Sequence, residues 1–306
     1  MSSSIAVFGS INMDLVIFSQ DKPSEGETIF GSSFHTFQGG KGANQAVAAS
    51  RLGIDVSFIG KIGVDLFGKQ LRDSLVEENI NVEYLEEHNS ESGVAFINVF
   101  EKTSENQIIV VPGANSYVES SQVPDALLSS TDILISQLEI PPNQIEDLFS
   151  RAGNHDCFRI LNAAPIISFE KNLISKTDLL VVNELELESL SGYEIDKDNL
   201  DTVVIAIESL NLQDSQSVVV TLGAKGAYVS KGKKDEFIPG HKVSTLDTTG
   251  SGDCFIGALA SCYQEKENLF ESVHFANKAA ALSTTKKGTS NSMPTKDEVV
   301  KFIQTT

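Results

Sequence analysis

The sequence predicts an α/β fold: a doubly wound, mostly parallel sheet flanked by helices, with a small additional β-sheet. Three observations point there. Short β-branched runs recur along the chain, each is followed by a stretch of helical periodicity, and two stretches rich in β-formers and turn residues interrupt the alternation. Strands covered on both faces read as unbroken apolar runs. Residues 5–8, 56–59, 133–136, 160–162, 179–182 and 218–221 have that form. Helical spacing fills residues 43–52, closed by Gly53 as a C-terminal cap, and then 65–78, 143–151 and 184–190.

The interrupting stretches are 15–38, punctuated by Pro23, Gly26 and Gly31, and 93–111. In the second, GVAFINVF, the polar KTSENQ and then IIVV read as a hairpin. These segments form either a sheet projecting from the core or edge strands of the main sheet. The chain has 306 residues with no internal repeat and no low-complexity linker. It therefore reads as one domain, 1–306, with the β-rich segments at about 15–38 and 93–111 inserted in the α/β core.

Composition narrows the partners. A 41% hydrophobic and 21% charged chain supports a sizeable core. The net charge of −19 disfavours nucleic acid and anionic membranes, which select a basic footprint. Any polyphosphate must then be met locally, by backbone amides, a metal or a few lysines. Cys157, Cys254 and Cys262 are odd in number and lack CxxC spacing, the pattern of free thiols in a reducing cytosol. MSSSIAVFGS carries no basic segment ahead of an apolar one, and no window approaches 18 uninterrupted apolar residues. A cytoplasmic protein is expected.

The chemistry concentrates in DTTGSGDCFIG, residues 247–257. Gly250 and Gly252 bracket Ser251 just before a helical pattern, so backbone N–H groups can converge on one anion without a Cβ in the way. Asp253 falls in the first turn, where the helix dipole favours its ionised form. A carboxylate beside a phosphate site can take the proton of an attacking hydroxyl. The bland alternative is a plain helix cap, since Ser and Asp are common there. The segment is neither a Walker A loop nor a GxGxxG fingerprint.

A second glycine-rich element, GGKGAN at 39–44, offers close backbone approach, a lysine and an amide, which suit a small polyol. As a bland reading it is a tight turn and a helix start. GSINMD places Asn12 and Asp14 just beyond the first strand, where open α/β sheets bind ligands. Glu139, Asn183 and Thr221 likewise sit at strand ends. In NELE, Asn183 and Glu186 suit a hydrated Mg²⁺ held through water, or Glu186 is a solvated carboxylate in an acidic run.

In this order the pieces resemble the ribokinase family of carbohydrate kinases, the group that includes phosphofructokinase B. The resemblance spans essentially the whole chain, from GSINMD and GGKGANQAVAASRLG through VPGAN, QLEIP, LNAAP, VVNELELE and VVVTLGAKGAYV to DTTGSGDCFIGAL and FANKAAALSTTKKGTSNSMP. It implies a kinase that transfers the γ-phosphate of ATP to O5 of D-ribose, with deoxyribose, fructose or adenosine as alternative acceptors. Retention of Asp253 in its GSG loop argues against a sugar-binding homologue without catalysis.

By the same resemblance, Asn12, Asp14, Gly40, Lys41, Gly42, Asn44 and Glu139 hold the sugar, and Asp253 is the base. Gly250, Ser251 and Gly252 form an anion hole. Asn183, Glu186, Thr221, Gly223, Ala224, Lys225, Gly226, Gly252 and Asn277 take the nucleotide and its Mg²⁺. A K⁺ ion is held by Asp247, Thr249, Ser283, Lys286, Gly288 and Ser292, with Lys286 and Gly288 able to offer only carbonyl oxygens. The two β-rich segments form a lid that covers the sugar and pairs two chains into a homodimer. The run TTGSGD departs from the TxAAGD of several relatives, and Asn277 stands where some have His.

Overall fold

The computed structural model describes residues 4–103, 105–166 and 171–305. Residues 1–3, which open the run read for a targeting signal, and Ser104, within KTSENQ, lie outside them. The chain opens with β1 (Ser4–Phe8), β2 (Asn12–Ser19), β3 (Ser33–Gly39), α1 (Lys41–Arg51), β4 (Asp55–Gly63) and α2 (Leu66–Glu77). Then come β5 (Leu85–His88), β6 (Gly93–Phe100), β7 (Glu105–Val111), α3 (Asp125–Leu128), β8 (Ile133–Gln137) and α4 (Pro142–Ala152). The third quarter holds β9 (Phe158–Asn162), α5 (Lys171–Ser175), β10 (Leu179–Asn183), α6 (Glu184–Ser191) and α7 (Leu200–Ser209). Last are β11 (Ser217–Thr221), β12 (Gly226–Lys231), β13 (Lys234–Pro239), α8 (Ser251–Lys266), α9 (Leu269–Ser283) and α10 (Lys296–Thr305).

All six apolar runs read as strands lie in one sheet of order β13-β12-β11-β10-β9-β8-β1-β4-β5. Every pairing from β11 to β5 is parallel, and β12 and β13 close one edge antiparallel. Alternate residues of each strand face opposite layers, because the side-chain period is two. Ile5 and Val7 of β1 pack with α1, α2, α8 and α9, whereas Ala6 and Phe8 pack with α4, α6 and α7. Both faces are thus dry, as a parallel sheet requires.

The two interrupting stretches form their own four-stranded sheet, β3-β2-β6-β7, separate from the large one. This decides between the two arrangements left open by sequence. The hairpin turn is tighter than KTSENQ suggests: Glu105, Asn106 and Gln107 belong to β7, opposite Phe100, Val99 and Asn98. Because β7 is exposed along its whole length, polar residues there lose no solvation by joining a strand.

The layer beneath the parallel sheet is fixed by one close contact. A Cβ on Gly257 of α8 would lie 2.5 Å from the Ala48 Cβ and 2.7 Å from the Gln45 carbonyl oxygen of α1. Only glycine lets the two helices approach this far, and the Ala-rich face of α1 supplies the matching small surface. The approach sets the distance between the heads of both helices.

Candidate active site

In an open parallel sheet, ligands bind beyond the carboxyl ends of the strands where strand order reverses. Here the chain runs outward through β1, β4 and β5 on one side and through β8, β9, β10 and β11 on the other, so the reversal falls between β1 and β8. The loops after those two strands meet there. The Ser10 hydroxyl donates to Glu139 Oε2 at 2.5 Å, and the Lys41 backbone N–H donates to the same oxygen at 3.0 Å. Helix α1 has no side-chain cap of its own, because Gly40 precedes it. The Glu139 carboxylate, delivered from another strand, occupies that electropositive end instead. Gly42 makes the meeting possible, since a Cβ there would sit 2.7 Å from the Ser10 nitrogen.

Asp253 lies in the first turn of α8 and is buried. It does not cap its own helix: Gly250, with φ of 76°, is the capping residue and makes no side-chain bond. Each carboxylate oxygen instead receives a donor from α1. Asn44 Nδ2 donates to Oδ2 and Gln45 Nε2 to Oδ1, both at 3.0 Å. The bland cap reading therefore fails on geometry. Burial pushes the Asp253 carboxyl above its ordinary range; Lys41, Gln45 and Asn44 pull it back down, while Glu139 adds to the rise.

Around this carboxylate opens a cleft lined by Lys41, Asn162, Asn183, Glu186, Thr221, Gly250, Gly252 and Asp253, floored by Phe255 and Ile256. Burial depresses the Lys41 ammonium, but Asp253, Glu139 and Glu186 outweigh it and hold the ammonium above its usual value. The cleft thus keeps one cation in an acidic surround. At Gly252 the Cβ direction is open, so its backbone faces free space.

Asn12 and Asp14 fall in β2, on the four-stranded sheet, and both are buried. Asn115 fixes Asn12: its Nδ2 donates to Asn12 Oδ1 at 2.8 Å and to the Ile11 carbonyl at 3.1 Å, while its Oδ1 accepts the Ile11 N–H at 3.0 Å. Asp14 is pushed up to about 7, first by burial and then by the charges of Glu139 and Asp253.

The remaining residues divide. Asn183 and Glu186 form a reciprocal capping box at the start of α6, each backbone N–H bonded to the other's side chain at 2.8 Å. Glu186 is buried rather than solvated, and burial raises its carboxyl. Gly223, Ala224, Lys225 and Gly226 make the turn from β11 into β12, just past Thr221 and not part of the cleft lining, with Lys225 paired to Asp198. Asn277 on α9 is buried and donates to the Ile238 carbonyl at 3.2 Å.

Ahead of α8, Asp247 ties two loops together. Its carboxylate accepts from the Thr249 N–H at 2.9 Å, the Thr249 hydroxyl at 2.7 Å and the Gly288 N–H at 3.0 Å. Although burial opposes them, these bonds hold Asp247 below its usual value. The Lys286 ammonium turns away to Glu298 at 2.6 Å, leaving its backbone at the loop. The hydroxyls of Ser283 and Ser292 donate to the Ala280 and Thr289 carbonyls.

Sequence reasoning missed four polar residues that the site uses: Gln45, Gln137, Asn162 and Asn115. Gln137 and Asn162 end β8 and β9, so their strand-end positions were the available signal. Gln45 follows Asn44 in GGKGANQAVAA, and that adjacency was its signal.

The sequence model of the family described as pfkB family carbohydrate kinase matches residues 2–296. A ribokinase of Haemophilus influenzae is 37% identical over 307 residues, covering 99% of both chains. A deoxyribokinase of Salmonella typhi is 33% identical over 305 residues, covering 98% of both. Among solved structures, Arabidopsis thaliana ribokinase complexed with ribose and ATP superposes with a TM-score of 0.91 at 28% identity, over 99% of both chains.

Proposed function

The chain belongs to the pfkB family of carbohydrate kinases, ATP-dependent sugar phosphotransferases, and on that premise we propose that it phosphorylates D-ribose at O5 with Asp253 as the base. One observation carries the assignment: a buried carboxylate at a helix head, each oxygen held by one amide donor, beside a backbone that opens onto the cleft at Gly252. The ribose O5 attacks the γ-phosphorus and the O5 proton passes to Asp253. The bond from that phosphorus to the β–γ bridging oxygen breaks, and ADP leaves with its electrons. Backbone amides of Gly250, Ser251 and Gly252 receive the charge of the transferring phosphoryl.

Asn12, Asp14, Gly40, Lys41, Gly42, Asn44 and Glu139 hold the sugar. Asn44 supports this in detail: its Nδ2 donates to Asp253, and its buried Oδ1 has no donor among the described residues, which fits a sugar hydroxyl. Lys41, Asn183 and Thr221 face the phosphates. The turn 223–226, which follows Thr221, and Asn277 take the nucleoside.

The buried Glu186 carboxylate suits Mg²⁺ held through its water shell, where the ion neutralises polyphosphate charge. Oxygen donors around Asp247, with the carbonyls of Ser283, Lys286 and Gly288 and the hydroxyls of Thr249 and Ser292, suit K⁺. A cation there steadies the Gly250–Gly252 amides electrostatically. The four-stranded sheet serves as the lid that excludes water from the phosphoryl step. Its exposed apolar side chains, including Ile17, Phe34, Ile108 and Ile109, suit pairing with a second copy.

The experiment is an ADP-release assay across ribose, deoxyribose, fructose and adenosine, run with wild type and Asp253→Asn. Ribose is expected to show the highest kcat/KM and the variant to lose turnover. A deoxyribose preference would move the acceptor assignment to the alternative that the Salmonella relative favours; retained turnover in Asp253→Asn would remove the base.

A further inference from the structure

Behind Asp253 runs a chain of buried amides. Gln45 Nε2 donates to Asp253 Oδ1 at 3.0 Å and also to Asn162 Oδ1 at 3.1 Å, so both of its hydrogens are used. Its Oε1 accepts Gln137 Nε2 at 2.7 Å. Gln45 and Gln137 are both fully buried. Reversing the Gln45 amide would set its carbonyl oxygen against the Asp253 carboxylate, so one orientation alone is allowed. That orientation dictates the one behind it: Gln137 must present its NH₂, and its Oε1 is left buried with no donor among the described residues. Leaving an acceptor unpaired is unfavourable. The fold nevertheless keeps it so: Asp253, whose oxygens only accept when ionised, demands this direction, and Asn162, its Nδ2 turned to the Val181 carbonyl at 3.4 Å, presents an acceptor to the same NH₂.

We propose that Gln45, oriented by Gln137, is a positioning residue that aims the Asp253 carboxylate at the cleft and supplies one of the two bonds stabilising its charge. This rests on Asp253 being the base. Without Gln45, Oδ1 would lose its donor in a site where burial already opposes ionisation. The other charged groups facing Asp253 are Lys41 at the head of α1, Glu139 after β8, Asp14 on β2 and Glu186 on α6. None of them changes in the variants below.

The test is the pH profile of kcat/KM for ribose in Gln45→Met, close in shape but with no donor, and in Gln137→Met, which only releases the orientation of Gln45. Circular dichroism establishes that each is folded, and Asp253→Asn runs in parallel. The acidic limb is expected to move up by about one pH unit in Gln45→Met, the scale of one lost hydrogen bond to a carboxylate. Gln137→Met should move it less, in the same direction, and the rate at high pH should recover to within a few fold. A loss by the same factor at every pH, or an unmoved limb in both variants, would overturn the proposal while leaving Asp253 as the base. Turnover in Asp253→Asn would remove the premise and the proposal with it.

Discussion

Replacing Gly257 with alanine tests whether the helix pair α1–α8 sets the geometry of the site. On propensity alone, glycine to alanine inside a helix stabilises by about 1 kcal/mol. The contacts oppose that gain. The new Cβ would stand 2.5 Å from the Ala48 Cβ, 2.7 Å from the Gln45 oxygen and 2.9 Å from the Ala49 nitrogen. Carbon pairs prefer roughly 3.5–4.0 Å, so the helices must part by about 1 Å. Backbone atoms cannot swing aside as a flexible side chain would, and overpacking of this kind costs about 1–3 kcal/mol. The net expectation is a loss of about 0–2 kcal/mol, up to a few degrees in melting temperature at this chain length. The functional effect should be larger. Parting by about 1 Å takes the two 3.0 Å bonds from α1 to Asp253 beyond hydrogen-bonding range. A misplacement of that size at a reacting group lowers kcat by about 10²-fold. Thermal melts and steady-state kinetics read the two quantities. A variant of equal or greater stability with wild-type kcat would refute the reasoning.

Gly252→Ala has the opposite signature: its Cβ meets nothing within 4 Å, so the melting temperature should hold or rise while KM for ATP rises, and a stability loss with unchanged kinetics would contradict an anion site there. Asp14 rises from 3.8 to about 7, so the folded state binds its proton more tightly than the unfolded chain. Its contribution to stability is therefore complete below pH 3.8 and lost as pH rises through 7, by on the order of 4 kcal/mol. Asp14→Asn should then raise the unfolding free energy at pH 8, leave it unchanged near pH 3.5 and weaken sugar binding; urea melts at the two pH values check the first two and calorimetry the third.

Six of the seven parallel strands were legible because a strand buried on both faces needs a continuous apolar run, as in Ile5–Phe8, Ile133–Ile135 and Leu179–Val182; β5, LEEH on the edge, has none. The β12–β13 hairpin escaped, since β13 opens with Lys234, Asp235 and Glu236 and presents a solvated edge rather than an apolar run. The site was legible where glycine spacing or a strand end marked it, as at 39–44, 250–252 and Glu139. Glu186 could have been placed better: N-x-x-E is a capping-box signature as well as an acidic run. The roles of Gln45 and Gln137 were illegible for a different reason. They lie in partners 92 and 208 positions away along the chain, and no local pattern encodes such distances.

That separation matters during synthesis. Asp253 leaves the ribosome 208 residues after Gln45, about 10–40 s later at ordinary elongation rates. Until then the alanine face of α1 has no α8 to cover it, and the amides of Asn44 and Gln45 have no carboxylate to hold. The residues proposed to hold the sugar precede Asp253 in the chain, so that half of the candidate site is translated first and waits for the carboxylate. Catalytic competence in this chain thus arrives late in translation, and the nascent protein must keep its first helix from seeking other partners throughout that wait.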